Sequence, residues 1–534
     1  MVKRVAVIGG GASGLTCIKC CLDEDLEPVC FERSDEIGGL WRFTEDVGHD
    51  LGCVMRSTTI NTSKEIMCFS DFPMPKECPN FMHNTQVWEY FKLYSKTFGL
   101  EKYIRYSTEV LSVKPMSDFQ TSGQWEIIVR DILTNQVTKH VFDAVLVCTG
   151  HHARKHQPVF AGQEDFQGRV LHSVEYKDSR GFEGKRVVII GIGNSGGDAA
   201  VELSRTCSKV FLSTRRGSWV FNRVGPNGVP VDMVVATRMT NYMKTIMPYS
   251  MLNKTVKKQI NSRFDHRLYC LEPKHEVFSQ HPMVNDELPN RILSGTLTVK
   301  ADVKRFTRTG LEFVDGTSED DIDAVILATG YVIGFPFVDK SVIDIQNNRV
   351  ELFMYMFPPD LAKPTLAVIG CVQPIGSTIP IAEIQGRLAT RVFKGDVTLP
   401  DENAMWQDIR DKENAMAKQY IKCQRHTIQV DYITIMDQIA ELNGCKPSVA
   451  SMLLSDPKLA MACWFGPCTP VQYRLTGPGK WSGAREAIMT QWDRMRYPLQ
   501  TRPVPERPDQ GKGPLPLKLA ILVVVLGVLY VVFF

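Results

Sequence analysis

The beginning of the chain carries the pattern that most constrains its fold. Val5 to Ile8 form a short apolar run, typical of a buried strand, and a glycine turn with the spacing G-x-G-x-x-G follows directly. A run compatible with a helix, Leu15 to Leu22, then leads to a second apolar strand that ends in Glu32. A strand, a turn, a helix and a strand in this order form a complete βαβ unit, so the sequence predicts an α/β fold.

Each glycine of this turn has a physical reason. Gly9 permits the tight turn, Gly11 lets the backbone approach a pyrophosphate, and Gly14 lets the helix pack against the strand. The helix N-terminus favours the phosphate charge through its free N–H groups and its dipole. Glu32 lies 21 residues after Gly11, where a carboxylate reaches a ribose 2′-hydroxyl and repels a 2′-phosphate, so we predict the ADP half of FAD or NAD here. The predicted contacts are Gly9, Gly10, Gly11, Ala12, Ser13, Gly14 and Glu32.

A second glycine fingerprint occurs further along the chain. The strand-like run from Arg186 to Ile190 precedes G-I-G-N-S-G, whose glycines are Gly191, Gly193 and Gly196. Ser213 lies 20 residues after Gly193, where the first fingerprint has an acid. It and the residues that follow it carry hydroxyl and guanidinium groups instead. A guanidinium can make charge-assisted contacts with a 2′-phosphate, so this lobe is predicted to bind NADPH. The predicted contacts at this end are Ser213, Thr214 and Arg215.

A repeated strand ending supports the same two-lobe organisation. Residues 141–150 and 324–330 are apolar runs that both end in Thr-Gly. Residues 125–131 also read as a strand, with alternating polar and apolar side chains. The repeat predicts two related nucleotide-binding lobes.

Composition limits the other classes of function. The chain has 534 residues, 44% of them hydrophobic and 23% charged, which is an ordinary globular balance for two or three domains. A net charge of +3 without a basic stripe gives no indication of nucleic-acid binding, and no cluster has metal-ligand spacing. The 15 cysteines lack the spacing of a disulfide framework, which favours reduced thiols in a cytosolic setting.

The C-terminal segment differs from the rest of the chain. Residues 515–534 are apolar except for Lys518, and a helix of that length spans about 30 Å, the thickness of a hydrocarbon core. Basic residues precede it on the side expected to face the cytosol. Residues 498–514 are rich in proline, which is typical of an extended tether. We therefore expect a C-terminal transmembrane helix in contact with membrane lipid.

The chain resembles the flavin-containing monooxygenases over nearly its whole length. Between the two fingerprints it carries F-x-G-x-x-x-H-x-x-x-Y at Phe166, Gly168, His172 and Tyr176. Tyr176 favours this branch, because the Baeyer–Villiger branch of the wider superfamily usually has tryptophan there. Among vertebrate microsomal members the resemblance is strongest with form 5. The other motifs that carry it are F-E-R-S-D-E-I-G-G-L-W-R-F (31–43), I-N-T-S-K-E (60–65), N-D-E-L-P (285–289), L-A-T-G-Y (327–331) and F-G-P-C-T-P (465–470).

The resemblance implies FAD and NADPH as cofactors and O2 as co-substrate. A C4a-hydroperoxyflavin would give one oxygen atom to a soft nitrogen or sulfur centre of a xenobiotic or small lipophilic metabolite. Asn61 and Asn194 would be the catalytic residues, and His172 would have a structural role. The resemblance also implies the endoplasmic reticulum membrane, with the catalytic lobes facing the cytosol, and leaves a homo-oligomer open. The cofactor contacts that it implies are Leu40, Trp41, Asn61, Thr62, Gly191, Gly193, Asn194, Ser195, Gly196, Gly197 and Asp198.

The insertion in the second lobe is expected to be mainly helical. Met239, Met243, Met247 and Met251 recur every fourth residue, although Pro248 should break the helix. This stripe is compatible with a core face, a substrate tunnel or a membrane-touching face. The expected segments are the FAD lobe at 1–155 and 331–497, the NADPH lobe at 156–216 and 296–330, the insertion at 217–295, the tether at 498–514 and the anchor at 515–534.

One departure from the family pattern keeps alternatives open. Residues 51–56 read L-G-C-V-M-R where the family usually has G-R-A-S-x-Y, so the loop leading to Asn61 is altered. Baeyer–Villiger oxidation of ketones or an uncoupled NADPH oxidase could use the same flavin. A membrane-held FAD-binding protein without catalysis is another alternative. A disulfide reductase would need a redox cysteine pair, and the candidate pairs are Cys17 with Cys20 and Cys463 with Cys468.

Overall fold

The computed structural model describes residues 3–45, 48, 51–421, 423 and 426–503. In chain order, the α-helices are α1 (Ala12–Asp23), α2 (Lys64–Met67), α3 (Asn84–Phe98), α4 (Phe119–Ser122), α5 (Asn194–Leu203), α6 (Val231–Val235), α7 (Arg238–Ile246), α8 (Tyr249–Asn261), α9 (Leu288–Leu293), α10 (Thr378–Lys394), α11 (Glu402–Gln419), α12 (Tyr432–Leu442), α13 (Val449–Ser455), α14 (Pro457–Phe465) and α15 (Ala484–Arg496). The strands are β1 (Arg4–Ile8), β2 (Glu27–Phe31), β3 (Ile104–Arg105), β4 (Thr108–Pro115), β5 (Trp125–Asp131), β6 (Val137–Phe142), β7 (Ala144–Val147), β8 (Arg154–Lys155), β9 (Arg169–His172), β10 (Arg186–Ile190), β11 (Lys209–Ser213), β12 (Val220–Phe221), β13 (Met283–Val284), β14 (Leu297–Lys300), β15 (Val303–Phe306), β16 (Leu311–Phe313), β17 (Ser318–Glu319), β18 (Ala324–Leu327), β19 (Tyr331–Val332), β20 (Leu366–Val368), β21 (Gln373–Ile375) and β22 (Gln429–Asp431).

The N-terminal βαβ unit forms the centre of a five-stranded sheet with the order β20-β7-β1-β2-β3. All of its neighbouring strands are parallel, and Val5 of β1 pairs with Pro28 on one side and Ala144 on the other. α1 begins at Ala12, three residues before the predicted start, because residues 12–14 already complete its first turn. The predicted α/β fold is confirmed.

The second fingerprint forms an equivalent five-stranded parallel sheet with the order β14-β11-β10-β18-β9. β10 has the central place that β1 has in the first sheet, since Val187 pairs with both Val210 and Ala324. The strands that end in Thr-Gly, β7 and β18, therefore lie beside the two fingerprint strands. This placement explains why the Thr-Gly ending occurs twice in the sequence.

Both central sheets are buried on their two faces. Val188 and Ile189 of β10 are each fully buried, yet they belong to different apolar clusters, one on each side of the sheet. Strands buried on both faces have continuous apolar sequences because no face alternates with solvent. The short apolar runs of β1, β7, β10 and β18 follow from this arrangement.

A short antiparallel pairing connects the lobes where the chain passes between them. β8 follows the first Thr-Gly ending and β19 follows the second, and Lys155 pairs with Tyr331. His172 lies beside this crossing, fully buried, and its Nε2 is 3.1 Å from the carbonyl oxygen of Gly330. The predicted structural role of His172 agrees with this contact.

Helices are the main regular structure of the segment between β11 and β14, although irregular chain makes up much of it, and Pro248 separates α7 from α8. The methionine stripe is not a core face, because Met239, Met243 and Met247 are only half-buried and Met251 is 56% exposed. Tyr242, Ile246 and Tyr249 are also exposed apolar side chains on these helices.

Several of the remaining described elements pack around the first sheet. β5, which confirms the strand predicted at 125–131, lies in the antiparallel sheet β4-β5-β6. α10 packs against α1, and a Cβ on Gly386 would lie 3.1 Å from the Sγ of Cys17. In the described part of the chain, no helix has both the length and the apolar character required to cross a membrane. The predicted anchor at 515–534 lies outside the described residues, and the predicted tether is described only as far as Pro503.

Candidate cofactor sites and the cleft between the lobes

The first glycine turn has the geometry of a pyrophosphate site. Gly9 has a φ of +103°, and a Cβ on Gly14 would lie 1.8 Å from the carbonyl oxygen of Gly9, so neither position accepts a side chain. α1 starts after Gly11, and no side chain caps its first turn. The uncapped N–H groups therefore remain available to an anion at this helix N-terminus.

Gly11 differs from the other two glycines of the turn. A Cβ there would meet Gly39 at 3.6 Å, which is an ordinary van der Waals contact. The protein itself thus has room for a side chain at this position, and the need for glycine that we predict here would come from a ligand. The turn that carries Leu40 and Trp41 lies opposite, because Gly38 donates its N–H to the carbonyl of Gly10 at 3.1 Å.

Glu32 lies at the end of β2, as predicted, and its carboxylate contacts the glycine turn. One oxygen accepts the N–H of Gly10, and the other accepts the N–H and the hydroxyl of Ser34, both at 2.7 Å. These hydrogen bonds fix the carboxylate beside the turn. The contact with a ribose hydroxyl stays a prediction.

The second glycine turn reproduces the first. Gly191 has a φ of +111°, and a Cβ on Gly196 would lie 2.0 Å from the carbonyl oxygen of Gly191. α5 begins immediately after Gly193, again without a capping side chain. Gly197 packs against a side chain rather than the backbone, because a Cβ there would lie 1.7 Å from the side chain of Met283.

The residues predicted to recognise a 2′-phosphate differ in their surroundings. Ser213 is fully buried and donates its hydroxyl to the carbonyl of Ala301 at 2.7 Å, while the Thr214 hydroxyl accepts the N–H of Gly217 at 3.0 Å. Arg215 is exposed at the surface beyond β11. Burial raises the pKa of the nearby Asp302 carboxyl, and the positive charge of Arg215 opposes this increase. Among these side chains, Arg215 is the one best placed to meet an arriving phosphate.

A cleft of about 150 Å³ lies between the two glycine turns and brings residues from both lobes together. Six of the residues predicted for the site line it, and they are Leu40, Trp41, Asn61, Asn194, Ser195 and Asp198. Sequence reasoning missed other lining residues, which are Cys53, Val54, Met55, Thr58, Thr59, Ile60, His152, Ser173 and Tyr331. His152 and Tyr331 follow the two Thr-Gly endings, so the repeated ending was a signal that could have found them.

Asn61 carries an unsatisfied polar atom at this cleft. Its Oδ1 is buried and has no hydrogen-bond partner in the described residues. A buried polar atom without a partner is unfavourable, so the position favours a ligand that can donate a hydrogen bond. Thr62, predicted beside it, belongs to the same turn, which leads into α2.

The insertion holds this turn from both sides. Arg223 donates to the carbonyls of Thr59 and Ile60 at 3.4 and 3.3 Å and pairs with Asp286 at 2.9 Å. Asp232, at the start of α6, accepts the N–H of Ser63 at 2.6 Å. Burial raises the pKa of the Asp232 carboxyl to about 6, and the hydrogen bond from Ser63 opposes this increase.

Asn194 and Asp198 face the cleft from the first turns of α5. The amide oxygen of Asn194 accepts the N–H of Val284 at 2.9 Å, so its NH2 group is the part left to contact a ligand. Asp198 accepts a hydrogen bond from Asn285 at 2.8 Å. Burial raises the pKa of Asp198 to about 6, whereas the charge of Arg223 lowers it.

The loop that departs from the family pattern also bridges the two lobes. Cys53, Val54 and Met55 line the cleft, and Met55 packs into an apolar cluster of the second lobe. Arg56 donates its N–H to the carbonyl of Lys177 at 2.8 Å. The altered residues therefore help to set the relative position of the two lobes at the cleft.

The candidate redox cysteines lie away from this cleft lining. Cys17 and Cys20 are buried on α1, and burial raises the pKa of both thiols well above the usual value. Cys463 and Cys468 are also buried, with raised pKa values. A buried thiol with a raised pKa is a poor nucleophile, so the structure gives no support to a disulfide reductase.

Two glycine turns that open helices on parallel sheets, with a shared cleft, define a protein of the class with two dinucleotide-binding lobes. The family model described as flavin-binding monooxygenase-like matches residues 2–534, and the chain belongs to this family. It is an NADPH-dependent flavin monooxygenase whose cofactors are FAD and NADPH and whose substrates are O2 and a small molecule.

The relatives agree with this assignment. Flavin-containing monooxygenase 5 of Rattus norvegicus is 55% identical over 524 residues, which cover 98% of each chain. The N-oxide-forming dimethylaniline monooxygenase 2 of Cavia porcellus is 48% identical over 526 residues, again 98% of each chain. The fold is similar to that of cyclohexanone monooxygenase from Rhodococcus sp. Phi1 bound to NADP+, with a TM-score of 0.61, 14% identity and coverage of 86% of this chain and 98% of that one.

Proposed function

We propose that this enzyme oxygenates soft nitrogen or sulfur centres of small lipophilic compounds, xenobiotics among them. The orphaned Oδ1 of Asn61, facing a cleft between two dinucleotide turns, is the observation that carries the proposal. The N-oxide-forming relative supports nitrogen as an acceptor of the oxygen atom. FAD supplies the redox and oxygen chemistry when it is bound, and the protein supplies binding, orientation and exclusion of water.

The residues divide this work between them. The N–H groups that follow Gly11 would bind the FAD pyrophosphate, and those that follow Gly193 would bind the pyrophosphate of NADPH. The amide oxygen of Asn61 would accept a hydrogen bond from the bound flavin. The NH2 group of Asn194 would contact the flavin and the nicotinamide from the opposite lobe, since its amide oxygen is held by Val284.

Product analysis tests this proposal directly. The purified, yellow holoenzyme is supplied with NADPH, O2 and either N,N-dimethylaniline or a simple thioether, and the N-oxide or sulfoxide is quantified against NADPH consumed. We expect an oxygenated product that depends on both NADPH and O2. Oxidation of NADPH without any oxygenated amine or thioether would contradict the proposed substrate class.

Baeyer–Villiger oxidation of ketones is the second candidate. The likeness to a form 5 relative, and in fold to a cyclohexanone monooxygenase, supports it. The same assay with cyclohexanone, scored for the lactone, separates the two reactions. If hydrogen peroxide accounts for all NADPH with every substrate, the protein is an NADPH oxidase, the alternative that the altered 51–56 loop keeps open.

We also propose that the chain is held on the endoplasmic reticulum membrane by residues 515–534, with the lobes on the cytosolic side. The apolar sequence of that segment supports this, as do the exposed apolar side chains of α7 and α8. Truncation after Pro514 should release the protein from microsomes with FAD still bound. Asn61-Thr62-Ser63 is a glycosylation sequon, and sugar at Asn61 in cells would reverse the proposed orientation.

We propose the following assignment of segments to roles, on the evidence of the two sheets and the helices between β11 and β14. Residues 1–155 and 331–497 bind FAD, residues 156–216 and 296–330 bind NADPH, and residues 217–295 form an insertion that lines a substrate tunnel or faces the membrane. Separate loss of FAD or of NADPH binding, after substitution in the corresponding glycine turn, tests this assignment.

A further inference from the structure

His151 follows the Thr-Gly ending of β7, between the first glycine turn and the cleft. The end of β7 lies against the first glycine turn, because a Cβ on Gly9 would be 2.9 Å from the carbonyl oxygen of Cys148. The backbone of Gly370 lies beside the ring of His151. Gly370 in turn lies against α1, because a Cβ on Gly370 would be 2.6 Å from the Oγ of Ser13. One side of the imidazole therefore adjoins the first turn of α1.

The other side of His151 adjoins the cleft. Its ring centroid is 4.2 Å from that of His152, and the ring of His152 is 5.2 Å from that of Tyr331. His152 and Tyr331 both line the cleft. A ligand with a pyrophosphate at the glycine turn and a ring system in the cleft would pass His151 on the way.

His151 is half-buried, and both of its polar ring nitrogens are shielded from solvent. Neither Nδ1 nor Nε2 is exposed, and neither makes a hydrogen bond of good geometry in the described part of the chain, where the backbone of Gly370 is a polar neighbour of the ring. Burial lowers the pKa of His151 to about 4, and the nearby backbone of Gly370 opposes this decrease. The ring is therefore neutral at physiological pH, with one nitrogen as a donor and the other as an acceptor.

We propose that His151 is a FAD-binding residue that hydrogen-bonds the part of the cofactor joining its pyrophosphate to its flavin ring. That part carries hydroxyl groups, which both donate and accept, so they match the two nitrogens of a neutral imidazole. The match gives well-formed hydrogen bonds to two buried nitrogens that make none in the described residues. The inference rests on FAD as the cofactor and does not depend on which substrate the enzyme oxygenates.

FAD affinity, measured apart from turnover, tests the role of His151. Apoprotein of the full chain is titrated with FAD, and binding is followed by flavin fluorescence. His151→Ala should weaken FAD binding about 10-fold, since it removes both partners. His151→Asn should retain most of the affinity because an amide also offers a donor and an acceptor. His140→Asn is the matched control, as His140 lies on β6 against Phe31 and Phe142, and it should not change FAD affinity.

Two further measurements keep the test decisive. NADPH affinity should be the same in all three variants, because His151 contacts the first lobe, and circular dichroism of the apoproteins checks their folding. If His151→Ala does not fold, His151→Leu carries the test, because it keeps the bulk of the side chain and offers no hydrogen bond, so its FAD affinity should also fall about 10-fold. Unchanged FAD affinity in His151→Ala, or in His151→Leu when the Ala variant does not fold, would overturn the proposal.

Discussion

The carboxylate of Asp232 accepts the backbone N–H of Ser63 at 2.6 Å, which joins the insertion to the turn that carries Asn61. The contact is made by a group that is not part of either glycine fingerprint. It makes the geometry at the cleft depend on how the insertion folds back over the first lobe. Asp232 is in this sense a positioning residue for Asn61.

We expect Asp232→Ala to uncouple the enzyme. Without the acceptor, the Ser63 N–H loses its partner, and the Asn61 turn is no longer fixed on that side. NADPH oxidation should continue while the yield of oxygenated product falls and hydrogen peroxide rises. The ratio of product to NADPH measures this, and Asp232→Asn, which keeps an acceptor oxygen, should stay close to the wild type. Equal coupling in the Ala variant and the wild type would show that the turn is held by other contacts.

The same carboxyl should make stability depend on pH. Its pKa is raised to about 6 by burial, above the ordinary value of 3.8, so the folded state disfavours ionisation. Stability is therefore lost as pH rises from about 4 to 6, and at pH 7 the cost is about 3 kcal/mol. Asp232→Asn should remove this cost. The free energy of unfolding of the variant minus that of the wild type should therefore be about 1 kcal/mol larger at pH 7 than at pH 5. Denaturant unfolding at the two pH values checks the sign, and an advantage that is the same at both would contradict it.

Gly11 and Gly14 offer a matched pair for the FAD site. Gly11→Ala should leave the protein folded, because the added Cβ meets only Gly39 at 3.6 Å, but it should weaken FAD binding by blocking the pyrophosphate. Gly14→Ala should instead destabilise the fold, since its Cβ would lie 1.8 Å from the carbonyl oxygen of Gly9. Flavin content and the thermal unfolding of the apoprotein separate the two effects. A folded Gly11→Ala variant with normal flavin content would contradict the proposed phosphate site.

The parts of this protein that could be predicted from sequence are those fixed by local backbone geometry. Gly9 and Gly191 require positive φ, and Gly14 and Gly196 require close packing, so their spacing alone indicates the two turns. The hydrogen bond from Ser63 to Asp232 could not be predicted in this way, because it joins residues 169 positions apart and depends on tertiary packing. The same applies to the contacts that bury Asn61 and His151.

The methionine stripe shows a limit of periodicity. A spacing of four residues correctly indicates helix, but it does not determine what the helix packs against. Pro248 separates the stripe into two helices, and Met251 remains exposed. Burial depends on the partner surface, and nothing in a single periodic segment specifies that surface.

Arg215 tests the choice of nicotinamide cofactor. Arg215→Ala should weaken NADPH binding by about 1.5 to 3 kcal/mol, the contribution of a hydrogen bond to a charged group, and leave NADH nearly unchanged. Arg216→Ala is the matched control, because Arg216 is also exposed and follows directly in the chain. Dissociation constants for the two cofactors, measured at one salt concentration, check the prediction. Equal loss for NADPH and NADH would show that Arg215 does not recognise the 2′-phosphate.

Asn61 tests the mechanism itself. Its Oδ1 is buried at the cleft without a partner, so the proposed role is to accept a hydrogen bond from the oxygenating flavin. Asn61→Ser should leave FAD binding largely intact, because the glycine turn that binds the pyrophosphate is not altered. The loss of a partner for a buried polar group corresponds to about 1 to 3 kcal/mol, which should shorten the lifetime of the oxygenating species by roughly 5- to 150-fold.

Two measurements decide the role of Asn61. Stopped-flow absorbance, after reduced enzyme is mixed with O2, gives the lifetime of the oxygenating species, and a peroxide assay gives the fraction of NADPH that is wasted. Thr62→Ser is the matched control, since it changes the neighbouring residue of the turn and keeps the amide. A wild-type lifetime in Asn61→Ser would remove this residue from the mechanism. The wild type itself could show no such species and release peroxide instead. The next variant would then restore the family sequence in the 51–56 loop, whose residues Cys53, Val54 and Met55 line the same cleft.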